Sequence, residues 1–161
     1  MGDRLPSTSF VRDLRQALQH LYDPGELRRS PLLELLGIDQ HEDPPSSLRR
    51  ILLEAVRSLK PASDVPAQAS AWRIYHVLSQ RYAEQFSQQE VAKDLCLSVR
   101  QLRRHEKRAV RALADYLWTH HNVGLQEARE ADSLRRASHD LGAKLEGTPS
   151  SLSEKGTFAR L

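Results

Sequence analysis

The chain has one cysteine in 161 residues, Cys96, which excludes an internal disulfide framework, and no CxxC pair exists to build a structural zinc site. No apolar run approaches the ~18 residues that would mark a membrane-spanning helix. The opening MGDRLPSTSF lacks the apolar core of a signal peptide, so a cytoplasmic protein with no membrane partner is expected. Aromatic residues make up only 6%, which leaves the core to aliphatic side chains. Strand-type alternation, internal repeats and a glycine-rich phosphate loop are all missing. The seven histidines are scattered, and His120 and His121 are adjacent rather than one helical turn apart, a poor arrangement for sharing a metal. No serine sits in a local nucleophile signature. Catalytic, cofactor-binding and metal-ligating residues are therefore not expected, and the protein does not read as an enzyme.

At 18.3 kDa, with 39% hydrophobic and 28% charged residues, the chain can bury one good core, perhaps carrying a small extra module. Its net charge of +3 says little about partners by itself. What carries information is where the charge lies.

That place is residues 87–113, SQQEVAKDLCLSVRQLRRHEKRAVRAL. Ser87 followed by Glu90 has the form of a capping box, which predicts a helix from Gln88. Val91, Ala92 and Leu95 give it an apolar stripe, Cys96 and Leu97 interrupt it, and Ser98 is a good N-cap for a second helix. At about 100° per residue, Val99, Leu102, Ala109, Val110, Leu113 and Leu117 of that second helix gather in one sector. Arg100, Arg104, Lys107, Arg108 and Arg111 gather opposite, with Gln101 beside them and Arg103 nearer the apolar boundary. Between Val99 and Arg111 six basic residues face one acid, Glu106, a local charge of +5. Such density would neutralise phosphates and release their counterions.

The positions of Ser87, Glu90, Val91, Ala92, Leu95, Leu97, Ser98, Val99, Leu102, Arg108, Ala109 and Leu113 resemble the helix-turn-helix in region 4 of bacterial sigma-70 type sigma factors and in LuxR-type DNA-binding domains. The resemblance implies a second helix in the major groove of double-stranded DNA. Carried over by position, it implies Arg100, Gln101 and Arg104 as base readers. Ser87, Arg103, Lys107, Arg108 and Arg111 become the phosphate contacts. Two positions depart from the pattern. Cys96 stands where the family usually has glycine and points to a slightly altered turn, its thiol inert and partly buried. Glu106 stands where the family usually has leucine, and a carboxylate on the apolar side calls for a basic or hydrogen-bonding partner from another helix.

The fold expected is all-α: a helical bundle containing a helix-turn-helix, with an N-terminal helical module and a C-terminal helix. The N-terminal module, residues 1–60, would serve sensing, dimerisation or docking. Its first helix carries Phe10, Val11, Leu14, Ala17, Leu18, Leu21 and Tyr22 and ends near Asp23-Pro24-Gly25. Pro31 then divides a leucine-rich stretch in two, DQHEDPPSS reads as loop, and Ser46 or Ser47 caps a helix through Lys60. Residues 67–122 would form the sigma region 4-like domain, opened by a helix from about Ala67 to Glu84 in which Trp72 and Tyr75 read as core. A stop at Asn122-Val123-Gly124 precedes a C-terminal helix in 123–146, a possible dimer interface, and 147–161 reads as a flexible tail.

One such helix reads only a few base pairs, so a second reader is expected, either through a homodimer or through RNA polymerase. The pattern as a whole indicates a sequence-specific bacterial transcription regulator. The alternative is a protein-docking adaptor of the transcription or signalling machinery that does not bind DNA.

Overall fold

The computed structural model describes residues 5–121, 123, 129 and 131–141. The fold is all-α, with no strand among the described residues. In chain order come α1 (Thr8–Gln19), α2 (Pro24–Arg28), α3 (Leu32–Leu35), α4 (Pro44–Ser58), α5 (Ser70–Leu78), a π-helical segment (Ser79–Ala83), α6 (Gln88–Asp94) and α7 (Val99–His120). Residues 1–124 make one compact unit and 125–161 another. Among the described residues no helix is long and apolar enough to cross a membrane.

The first unit is organised by α7. Its 22 residues give a rod about 33 Å long. Leu102, Ala109, Val110, Leu113, Ala114 and Leu117 are buried along one side. Against them and beside one another pack α1 through Phe10, Leu14 and Leu18, α4 through Leu48, Leu52 and Val56, α5 through Val77 and Leu78, and α6 through Val91 and Ala92. The core is aliphatic, as the scarcity of aromatics required. Phe10 adds an edge-to-face contact with Trp118, ring centroids 5.3 Å apart. Helices 8–58 and 70–120 thus share one core.

Several local readings shift. α1 stops at Gln19, and Tyr22 lies beyond it, exposed, its hydroxyl donating to the Ala83 carbonyl at 2.6 Å. Pro31 does separate two short helices, standing as N-cap of α3. The cap of α4 is Asp43 rather than Ser46 or Ser47. Its carboxylate accepts from the Ser46 amide and hydroxyl, and Pro44 and Pro45, lacking N–H groups, fill the first turn where no amide partner exists. The helix expected over 67–84 is α-helical only from Ser70 to Leu78 and then widens by one residue per turn, with the Glu84 amide donating to the Ser79 carbonyl at 2.8 Å. Trp72 and Tyr75 are half-buried rather than fully enclosed. The Trp72 indole N–H donates to the Val65 carbonyl, and its ring stacks on His76 at 5.7 Å.

In the second unit residues 131–141 are helical, with Leu134 and Leu141 exposed seven positions apart and Arg136 paired with Asp132 one turn earlier. The stop at Asn122 and Gly124 and the tail 147–161 lie outside the described residues.

Candidate nucleic-acid interface

α6 and α7 each begin with reciprocal side-chain capping. At α6 the Glu90 amide donates to Ser87 Oγ at 3.2 Å, and the Ser87 amide donates to Glu90 Oε2 at 2.8 Å. At α7 the Gln101 amide donates to Ser98 Oγ at 3.1 Å, and the Ser98 amide donates to Gln101 Oε1 at 2.9 Å. The Ser98-x-x-Gln101 spacing carries the same box signature as Ser87-x-x-Glu90, so the cap of α7 is a full box and not the serine alone. Two backbone amides that water would otherwise have to satisfy are paired at each start.

The link between the helices is set by a Schellman turn. The Leu97 amide donates to the Ala92 carbonyl at 2.8 Å and the Cys96 amide to the Lys93 carbonyl at 3.2 Å. Cys96 has φ 56°, so the left-handed residue that such a turn needs is present, supplied by cysteine. The turn is therefore regular, and the departure is absorbed as backbone strain. The thiol is exposed, not partly buried.

From this anchored start α7 carries its cations outward. Arg100, Arg103, Arg104, Lys107, Arg108 and Arg111 are all exposed. They fall within an arc of about 140° and an axial length of about 16 Å. No ion pair or hydrogen bond among the described residues engages any of them. Burial holds the His105 imidazole below its usual pKa, and Arg73 and Arg108 push it further down. His105 is thereby less readily charged than a free histidine.

Two of the residues assigned by resemblance are already occupied. Gln101 is exposed, but its side-chain carbonyl caps the helix, so pairing with adenine would compete with that bond. Ser87 is exposed at the head of α6 with its oxygen accepting from the Glu90 amide and its hydroxyl engaged by the Glu90 carboxylate, so donating to a phosphate would compete with that bond.

Glu106 has the partners its position demanded. Arg81 Nε donates to Oε1 at 2.5 Å and Gln88 Nε2 to Oε2 at 3.0 Å, both carboxylate oxygens being satisfied. The Arg81 and Glu106 side chains are 20% and 12% exposed, so the pair is only lightly screened. Arg81 also donates to the Phe86 carbonyl at 2.7 Å. One carboxylate thereby ties the π-helical segment, α6 and α7 together and fixes the angle at which the cationic face is presented. Arg81 and Gln88 had no local sequence signal. Their role comes from the widened turn that brings residue 81 toward α7.

Among the described residues no three histidine, cysteine, aspartate or glutamate side chains cluster as metal ligands. Compared with known proteins, the chain matches no family model, no curated protein and no solved structure.

Proposed function

We propose that the protein binds double-stranded DNA through α7 as a sequence-specific bacterial transcription regulator acting in the cytoplasm. The observation that carries this reading is the set of six exposed, unpaired cations on one face of a helix whose other face is buried. Unpaired arginines in water are costless, but six on one face, with Glu106, the one acid between Arg100 and Arg111, turned away toward Arg81, make a positive stripe that Asp115 bounds one turn beyond Arg111. A helix of about 10–12 Å diameter fits the major groove, about 12 Å wide. In such a complex the face first attracts the duplex without regard to sequence, and Arg100 and Arg104 then donate to guanine edges. Arg103, Lys107, Arg108, Arg111 and the Ser87 hydroxyl hold phosphates. The likeness to sigma region 4 and LuxR-type domains rests on the caps, the turn and the apolar spacing of residues 87–113.

A second reader is supplied by a homodimer, for which the exposed Leu134 and Leu141 are the available apolar seam, or by attachment to RNA polymerase. The test is fluorescence anisotropy with a duplex selected from a random pool and with an unselected duplex, each across salt. Binding to both should fall steeply with salt. Arg104→Ala should weaken the selected duplex by a further 1–3 kcal/mol, roughly 5- to 150-fold, beyond its effect on the unselected one. Equal losses would remove Arg104 from the reading set. No salt-dependent binding at all would leave docking on a protein partner as the better account.

A further inference from the structure

Beside the cationic face lies a cleft of about 230 Å³ lined by four parts of the chain. α1 contributes Arg15 and Gln19, the π-helical segment Arg81 and Tyr82, and α7 Arg103, Glu106 and Lys107, with Gln88 at the head of α6. Four cations thus surround one acid. That acid is already used, since Glu106 is held by Arg81 and Gln88. Arg15, Arg103 and Lys107 remain as three cations converging on one space with no anion to meet. Arg15 is half-buried, so its charge is less screened than that of a free surface arginine. Its field reaches the cleft wall: the Tyr82 phenol is pushed up by burial and by Glu106, and Arg81 and Arg15 act against that rise. At a liquid share of roughly 30 Å³ per water, the cleft has room for a tetrahedral oxyanion and its remaining hydration.

We propose that this cleft seats a backbone phosphodiester of the bound duplex, with Arg15 of α1 joining Arg103 and Lys107 of α7 as its donors. The inference deepens the DNA-binding reading and rests on it. It gives the N-terminal helix a direct part in the interface: α1 braces α7 through Phe10, Leu14 and Leu18 on one side and reaches past it to the DNA strand with Arg15 on the other. Fork-shaped guanidinium groups suit two oxygens of one phosphate, and a lysine supplies the third contact as a point charge.

The experiment titrates a labelled random-sequence duplex with the full chain, carrying either Arg15 or a replacement, between about 50 and 200 mM salt. Arg15→Gln should bind about five- to tenfold more weakly near 0.1 M salt, with the log–log salt slope shallower by about 0.9. Arg15→Lys should recover most of the affinity, which separates lost contact from lost folding. Arg50→Gln removes the same charge from an exposed position of α4 and should leave both affinity and slope within about twofold of the parent. If Arg15→Gln binds as the parent does, or if Arg50→Gln loses as much, the cleft holds no phosphate of the duplex, while the role of α7 stands. A parent protein that binds no duplex would overturn both. Saturable binding of inorganic phosphate, followed by the Arg15 and Arg103 Nε–Hε resonances, together with unchanged duplex affinity in Arg15→Gln, would assign the cleft to a small anion and reject the proposal.

Discussion

The chain leaves two of its helices by the same turn and puts it to different use. At the end of α3 the Ile38 amide donates to the Leu33 carbonyl and the Gly37 amide to the Glu34 carbonyl; at the end of α6 the Leu97 amide donates to Ala92 and the Cys96 amide to Lys93. Gly37 has φ 69° and Cys96 φ 56°, so both turns pass through one left-handed residue. After the first turn the chain wanders through residues 36–43 before α4 begins under Asp43, whereas after the second only residues 95–98 precede α7. The short link leaves α7 little freedom relative to α6. The outer faces differ too. α4 exposes a mixed set with Arg50, Glu54 and Arg57, while α7 presents six cations between Arg100 and Arg111, and the one acid in that stretch, Glu106, is turned inward. Turn geometry alone therefore distinguishes nothing. What sets α6 and α7 apart is a fixed angle combined with charge of one sign.

The strongest way to break that distinction is to release the angle. Glu106→Ala strands the Arg81 guanidinium and the Gln88 amide in a lightly screened site. The expected loss is about 1–3 kcal/mol of stability, a range set below that of fully buried pairs because both side chains keep some contact with water. Urea denaturation measures it directly. Glu106→Gln keeps the shape and one acceptor and should cost less. A loss in Glu106→Ala no larger than in Glu106→Gln would mean the pair does not hold the helices together.

A smaller effect sharpens the comparison by exchanging the two turns. Cys96→Gly should stabilise the fold by about 0.5–1 kcal/mol, since a left-handed conformation costs a residue with a β-carbon roughly 1 kcal/mol or more, partly offset by the greater freedom of glycine in the unfolded chain. Gly37→Ala should destabilise by about 1 kcal/mol for the mirror reason. Paired thermal unfolding curves check both. The same sign of change at the two positions would show that the left-handed residues are not equivalent.

How much of this was legible follows the range of the forces involved. The amphipathic face of α7, the Ser87 and Ser98 caps, the break at Pro31 and the need of Glu106 for a partner are written in spacings of three and four residues, and the helix period reads them out. The cap of α4 differs from the serine that the sequence suggests because two prolines resemble loop, although at a helix start their missing amides have nothing to bond. The π-helical widening at Ser79–Ala83 has no local sign. It moves Arg81 to Glu106 and helps to close the cleft with Arg15, so Arg15, Arg81 and Gln88 join the candidate interface only through the tertiary structure, whereas Ser87 is legible from its cap. Tyr22 shows the same limit. Its helical spacing from Leu14 and Leu18 suggests burial, but α1 ends before it and a long-range hydrogen bond to Ala83 holds it at the surface.

The smallest effect separates the helix starts by acid. Asp43 at α4 and Glu90 at α6 both have carboxyls held below their ordinary range. For Asp43 the first cause is the Ser46 hydroxyl, followed by the Ser46 amide; for Glu90 it is the Ser87 amide, followed by the Ser87 hydroxyl. The hydrogen bonds favour the ionised form, so in the folded protein these groups take up protons only at lower pH than in the unfolded chain, where they titrate near pH 4. Their contribution is therefore complete above about pH 4–5 and disappears as pH falls through the depressed folded values. Both groups are fully exposed, so the effect is local fraying rather than global unfolding. α7 is different, because its box is closed by Gln101, which does not titrate. Amide hydrogen exchange at pH 3 and pH 6, corrected for intrinsic rates, should show the protection at the Ser46 and Ser87 amides falling in acid while that at the Ser98 amide holds. Asp43→Asn and Glu90→Gln should each flatten the change at their own helix alone. A matching acid loss at Ser98 would place the cause in the whole fold and not in the caps, and the start of α7 would no longer stand out from those of α4 and α6.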